Sequence, residues 1–209
     1  IAYGLYEKKE DTRFLVFDLG GGTFDVSILE LYENILEVRA VAGDNYLGGE
    51  DFTKVMEKMF LNKTGINANS LTAKEQVRLY RQAEEAKRRI NDADKVEITC
   101  LIKDEPETVE ITTKEYEEEC EDLFSKIREP VKRSLSDAGL SLKDIDEVVL
   151  IGGATKLQIF RDFFIRVFHK FPDTSINPDE AVALGAAIQG AMKERKEAVK
   201  EMILTDVCS

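Results

Sequence analysis

The chain has 209 residues, 43% of them apolar and 33% charged, with a formal net charge of −12. It can bury a core, and its acidic balance argues against nucleic acid or an anionic membrane surface as the main partner. A single histidine, His169, with no Cys, Asp or Glu at ligand spacing, argues against zinc and Ser-His-Asp chemistry. Three scattered cysteines (Cys100, Cys120, Cys208) form no disulfide framework and suggest a reducing cytosol.

In chain order, the apolar run through Phe14 to Phe17 predicts a strand over 13–19. A second follows over 23–32, with Phe24, Val26 and Ile28 alternating, and a third over 35–42. Gly43 to Gly49 turn the chain into a helix over roughly 50–62. Thr72-x-x-Glu75 is a capping box that opens a helix reaching about Asn91. Val96, Ile98, Cys100 and Ile102 alternate as a strand, Asp104 to Glu107 turn, and a short strand fills 108–112. A helix over 113–138 is expected to kink at Pro130 and stop at Gly139.

The last third starts on an apolar strand, Val148 to Ile151, that ends in Gly152-Gly153-Ala154-Thr155 and leads into a helix over 156–169. Asn177-Pro178-Asp179-Glu180 reads as a helix start, with Asn as N-cap, Pro at N1 and Glu at N3. The small residues that follow, Ala181 to Ala191, predict close packing on a sheet or another backbone. Met202-Ile203-Leu204 is read either as a last strand or a helix end, or as an interdomain linker that docks by burying its apolar side chains. The whole is an α/β fold: a split core at 12–47 and 121–198, an inserted α+β tip at 48–120, and a linker beginning at 199–209. No stretch reaches transmembrane length, and no signal peptide is visible. The ends suggest a piece excised from a longer protein.

The chemistry concentrates in Phe17-Asp18-Leu19-Gly20-Gly21-Gly22-Thr23-Phe24-Asp25. Consecutive glycines let several backbone N–H groups turn toward one oxyanion, and Thr23 adds a hydroxyl donor. Asp18 and Asp25 bracket the loop and suit a hydrated Mg2+. A plain Gly-rich hairpin turn is the alternative. Two more glycine turns, Gly48-Gly49 and Gly152-Gly153, also sit at strand ends and helix starts, where α/β proteins bind nucleotides. None matches a Walker loop. Glu84, Lys87, Arg88 and Asn91 share one helix face, either as a solvated surface with ordinary ion pairs or as a clamp for ribose and base.

Together with Ala42-Gly43-Asp44, Leu47-Gly48-Gly49-Glu50-Asp51-Phe52, Ile151-Gly152-Gly153-Ala154-Thr155 and Ile176-Asn177-Pro178-Asp179-Glu180-Ala181, that loop resembles the nucleotide-binding domain of the DnaK family, the seventy-kilodalton heat-shock chaperones. The resemblance covers essentially the whole chain. It implies the second lobe of an actin-like ATPase with a ribonuclease H-like core, and details such as Ala154 resemble a divergent bacterial member. It implies that Gly20, Gly21, Gly22 and Thr23 meet the phosphates of ATP or ADP, and that Asp18 and Asp25 face Mg2+ through water. Gly49, Gly152 and Gly153 would line the nucleotide, Glu84, Lys87 and Arg88 would contact ribose and base, and Asp179 would support the adenosine pocket. Asn91 stands where many members have Ser, and Ala154 and Lys156 replace Ser and Arg beside the base.

The family's first phosphate loop and its catalytic lysine and glutamate belong to the other lobe, so no complete catalytic set is expected here. The implied partners are a nucleotide-exchange factor on the tip, and a J-domain co-chaperone and unfolded clients through the cytoplasmic parent. The fragment itself would be a monomer. Another actin-like phosphotransferase and a non-enzymatic actin-like module are the rival readings.

Overall fold

The computed structural model describes residues 11–33, 35–173, 177–194 and 203–205. The expectations at Ile176, Met202, Cys208 and the first residues lie outside them. Strands β1 (Thr12–Leu19), β2 (Phe24–Tyr32) and β3 (Ile35–Asp44) form an antiparallel meander. β6 (Glu147–Ile151) joins β1 in parallel, and β7 (Ile203–Thr205) joins β3 in parallel, giving the order β6-β1-β2-β3-β7. Residues 203–205 are therefore an edge strand, and Leu204 packs beside Phe14, Leu31, Leu36 and Val149.

Between β3 and β6 come α1 (Gly49–Thr64), α2 (Ala73–Arg89), the hairpin β4 (Lys95–Ile102) and β5 (Glu105–Thr112), α3 (Thr113–Glu119) and α4 (Glu121–Asp137). The predicted capping box opens α2: the Glu75 N–H donates to Thr72 Oγ1, and Glu75 Oε2 accepts from the Thr72 N–H at 2.7 Å. Glu75 also accepts from the Lys103 N–H, and these bonds, that from Lys103 foremost, hold its carboxyl at about 2. The β4–β5 turn is tighter than expected. Lys103 and Asp104, both at positive φ, close it as a two-residue loop, and β5 begins at Glu105.

The helix expected over 113–138 is two helices. The break falls at Cys120, not at Pro130, which lies inside α4. The buried Tyr116 anchors α3 to the tip by donating its hydroxyl to the Phe52 carbonyl. Phe124 of α4 stacks on Phe163 of the core at 4.5 Å and also meets Phe52 of the tip at 5.8 Å. Gly139, at φ 67°, ends α4 as predicted, with the Leu140 N–H donating to the Leu135 carbonyl.

After β6 a 3-10 turn, Gly153–Lys156, intervenes before α5 (Gln158–Phe168). His169 closes α5 in the left-handed region. α5 packs its phenylalanines on β1, with Phe164 edge-on to Phe17 at 5.0 Å. One apolar cluster runs without interruption from Phe17 through Phe163 and Phe124 to Phe52 and Ile98, so core and tip share a floor.

α6 (Ala181–Lys193) departs from expectation twice. Residues 178–180 form a turn, with Asn177 Oδ1 accepting from the Asp179 N–H, so regular helix starts at Ala181. The helix has no buried residue, and nothing described lies within 4 Å of where a Cβ on Gly185 or Gly190 would stand. Alanines supply little apolar area to hold a helix down. No helix among the described residues is long and apolar enough to cross a membrane.

Candidate functional site

A cleft of about 650 Å3 opens where the tip meets the core. Its core wall is the β1–β2 turn with the loop after β6. Its tip wall is the start of α1 with one face of α2. Residues distant in sequence meet because α1 begins against the β1–β2 turn: the Gly49 N–H donates to Gly20 O and the Glu50 N–H to Gly21 O, both at 2.8 Å. Gly48 makes this possible, since a Cβ there would stand 2.5 Å from Gly21 O and Gly22 N.

The β1–β2 turn is a hairpin in which the Gly20 N–H donates to Thr23 O at 3.0 Å. That amide is committed. The amides of Gly21, Gly22 and Thr23 make no hydrogen bond among the described residues, and all three residues are exposed. The hairpin turn therefore leaves three exposed amides free of hydrogen bonds among the described residues.

The α2 face is not a solvated surface throughout. Lys87 is buried, and its ammonium donates to Gly49 O and Thr53 Oγ1, each at 2.9 Å, and pairs with Glu84 Oε2 at 2.7 Å. All three ammonium protons are used. Glu84 also accepts from the Thr53 hydroxyl and from Arg88. Burial pushes its carboxyl up, and the bonds from Lys87, Thr53 and Arg88 outweigh that and leave it below the ordinary carboxylate range. Arg88 is mostly exposed beyond this pair. Asn91 reaches across to the core, and Lys156 pairs with Asp179 at the core rim.

Asp18 and Asp25 stand opposite each other on β1 and β2. Each is shaped by a glycine: a Cβ on Gly43 would lie 2.5 Å from Asp25 Oδ1, and one on Gly152 would lie 2.8 Å from Asp18 Oδ1. Partial burial, then the facing Asp25 charge, raises the Asp18 carboxyl above its ordinary value. Two facing carboxylates suit a hydrated divalent cation that shares them with phosphate oxygens.

A raised folded-state pKa disfavours the ionised form. Asp18 therefore costs stability increasingly as pH climbs from the unfolded carboxylate value through the raised one. Asp18→Asn removes that cost. Without metal, its melting temperature is expected to equal or exceed that of the parent chain at neutral pH, the difference vanishing in acid. A neutral-pH melting temperature several degrees lower would contradict this.

Of the residues singled out from sequence, Gly20, Gly21, Gly49, Glu84, Lys87, Arg88, Asn91, Gly153, Lys156 and Asp179 line the cleft. Gly22, Thr23, Gly152, Asp18 and Asp25 stand outside its lining. Tyr80, Glu50 and Leu157 line it and were missed. Helical spacing was the available signal for Tyr80, one turn before Glu84 on the same face. For Glu50 and Leu157 it was adjacency to the glycine turns.

The Hsp70 protein family matches the chain over residues 1–209. "Chaperone protein dnaK" of Cyanidioschyzon merolae is 41% identical over the whole chain, and that of Cyanophora paradoxa is 41% identical over 99% of it. The "Stromal 70 kDa heat shock-related protein, chloroplastic" of Pisum sativum is 40% identical over 99% of the chain. The chain spans 35%, 34% and 30% of these three relatives. With the α/β fold already described, these similarities carry the actin-like assignment, and the chain belongs to the Hsp70 family.

Proposed function

We propose that this chain is the second lobe of a DnaK-type nucleotide-binding domain and forms one wall of a site for ATP or ADP with Mg2+. The observation that carries the reading is the cleft itself, where an exposed glycine turn and a carboxylate-and-cation helix face converge from opposite sides. The free amides of Gly21, Gly22 and Thr23 would take phosphate oxygens, with Gly152 holding Asp18 in place behind them. Glu84 and Lys87 would meet ribose hydroxyls, and Arg88 and Lys156 would flank the base, with Asp179 and Gly153 beneath. Asp18 and Asp25 would hold Mg2+ through its waters. That ion would neutralise phosphate charge.

In the longer parent, lobe closure on the nucleotide would be relayed through the segment at 199–209 to client binding, a population shift set by contacts that differ between two states. A nucleotide-exchange factor would grip the tip at 48–120, a J-domain co-chaperone and unfolded clients would act through the parent, and its compartment would be the cytoplasm. The chain alone supplies too few phosphate contacts to turn ATP over.

Calorimetric titration of the chain with ATP and Mg2+ is expected to give binding weaker than about 1 μM, or none. Sub-micromolar affinity would show that one wall suffices. In the parent, Asp18→Asn is expected to abolish Mg2+-dependent hydrolysis while sparing the fold. Full hydrolysis by that variant would overturn the metal assignment.

A further inference from the structure

Helix α5 starts without a cap of its own. Its N-cap residue is Leu157, whose side chain has no acceptor, and the first helical N–H, that of Gln158, is orphaned within the helix. Asn91, in the 3-10 turn (Ile90–Asp92) just past α2, supplies what is missing. Its Oδ1 accepts from the Gln158 N–H at 2.9 Å, and its Nδ2 donates to the Lys156 carbonyl at 3.3 Å. A backbone donor on one side and a backbone acceptor on the other fix which way the amide points.

Among the described residues these are the only hydrogen bonds from segment 73–94 to the core. The tip's other polar attachments gather at its two chain connections. At the entry, Gly48-Gly49, the Gly49 and Glu50 amides donate to Gly20 O and Gly21 O. Near the exit at Cys120, where the helix is already interrupted, Glu117 pairs with Arg166 at 2.7 Å, while the shared apolar floor lies beneath. Two connections with their flanking bonds over a shared floor, and one polar contact remote from both, describe a flap with a catch. The catch sits on the cleft wall, and Lys156, whose carbonyl it grips, spends its ammonium on Asp179 across the core rim.

We propose that Asn91 is that catch: a helix cap supplied from the tip, whose release opens the cleft. The catch sets the separation between Glu84, Lys87 and Arg88 on the tip and Gly153 and Lys156 on the core. Its bearing on nucleotide retention rests on the function proposed above. The catch itself does not.

The test therefore uses the 209-residue chain without nucleotide, so failure to bind nucleotide and failure of the catch are separate results. Hydrogen exchange of the Gln158 amide by NMR is the first readout. Asn91→Ala is expected to speed it about tenfold while leaving Phe17 unchanged. Asn91→Asp keeps the acceptor and should restore protection to within about threefold. The second readout is the distance between spin labels on Asn69→Cys and Lys143→Cys, with Cys208→Ser so that the buried Cys100 and Cys120 remain unlabelled. Asn91→Ala should add a longer-distance population. Unchanged Gln158 exchange, an unchanged distance distribution, or equal acceleration at Gln158 and Phe17 would each overturn the proposal.

Discussion

Gly152→Ala is expected to unfold the core or leave it barely stable, whereas Gly153→Ala, one residue on, is expected to melt like the parent chain. Gly152 has φ 85° and ψ 143°, a conformation essentially reserved for glycine, which costs another residue about 1–3 kcal/mol. Space is the harder limit. A Cβ there would stand 2.3 Å from Leu19 O and 2.6 Å from Leu19 C, both backbone atoms of the interior strand β1. Neither can swing aside as a side chain would. Shifting β1 would disturb its pairing with β2 and β6 together, adding another 1–3 kcal/mol or so of overpacking. The sum, roughly 2–6 kcal/mol, is a large share of the ~5–15 kcal/mol that holds a domain folded. The nearest neighbour of a Cβ on Gly153 is Asp179 Oδ1 at 3.6 Å, an ordinary contact. Circular-dichroism melts of the two variants make the comparison, and equal melting temperatures would refute it.

Lys87→Met carries the second-largest effect. The substitution keeps length and apolar stem but removes the ammonium from a site where it is 7% exposed. Glu84, Gly49 O and Thr53 Oγ1 all lose a donor. Stranding one partner of a buried pair costs about 3–5 kcal/mol. Glu84 is 26% exposed and keeps Arg88, so water and that guanidinium recover part of it, and a loss of about 2–3 kcal/mol is expected in urea unfolding.

The pH dependence supplies a sign. In the parent chain the lowered Glu84 carboxyl contributes stability that is present above the unfolded carboxylate value and lost as pH falls through the lower folded one. In Lys87→Met the burial that pushes Glu84 up is no longer outweighed. The variant's deficit should then shrink on acidification, as protonation removes the stranded charge. Adding Glu84→Gln should recover part of the loss at neutral pH. A deficit independent of pH and unaffected by Glu84→Gln would mean that lost packing, not charge, governs the site.

The local devices were legible before any coordinates. The Thr72–Glu75 box, the Gly139 stop, the alternation of β2 and the shared face of Glu84, Lys87 and Arg88 all follow from neighbours within a few residues, which is the range over which caps and periodicity act, while the helix expected to reach Asn91 ends at Arg89 and leaves Asn91 in a 3-10 turn. The composition of the β1–β2 turn announced a loop that can face an anion. What lay beyond local reach was decided by partners far along the chain. Lys87, with Glu84 one turn earlier, has the pattern of an exposed ion pair, and only acceptors far along the chain, the carbonyl of Gly49 38 positions away and the hydroxyl of Thr53, make it a buried pin. The helix breaks at Cys120, between Tyr116 bonded to Phe52 O and Phe124 stacked on Phe163, and no propensity at Cys120 itself signals that. Asn91 looked like a ligand residue, yet its bonds run to backbone atoms more than 60 positions on. Periodicity says which face a side chain takes on its own element. Which element that face will meet is set by how sheet and helices stack, and the site exists only where Gly20, Gly49, Glu84 and Gly153 are stacked together.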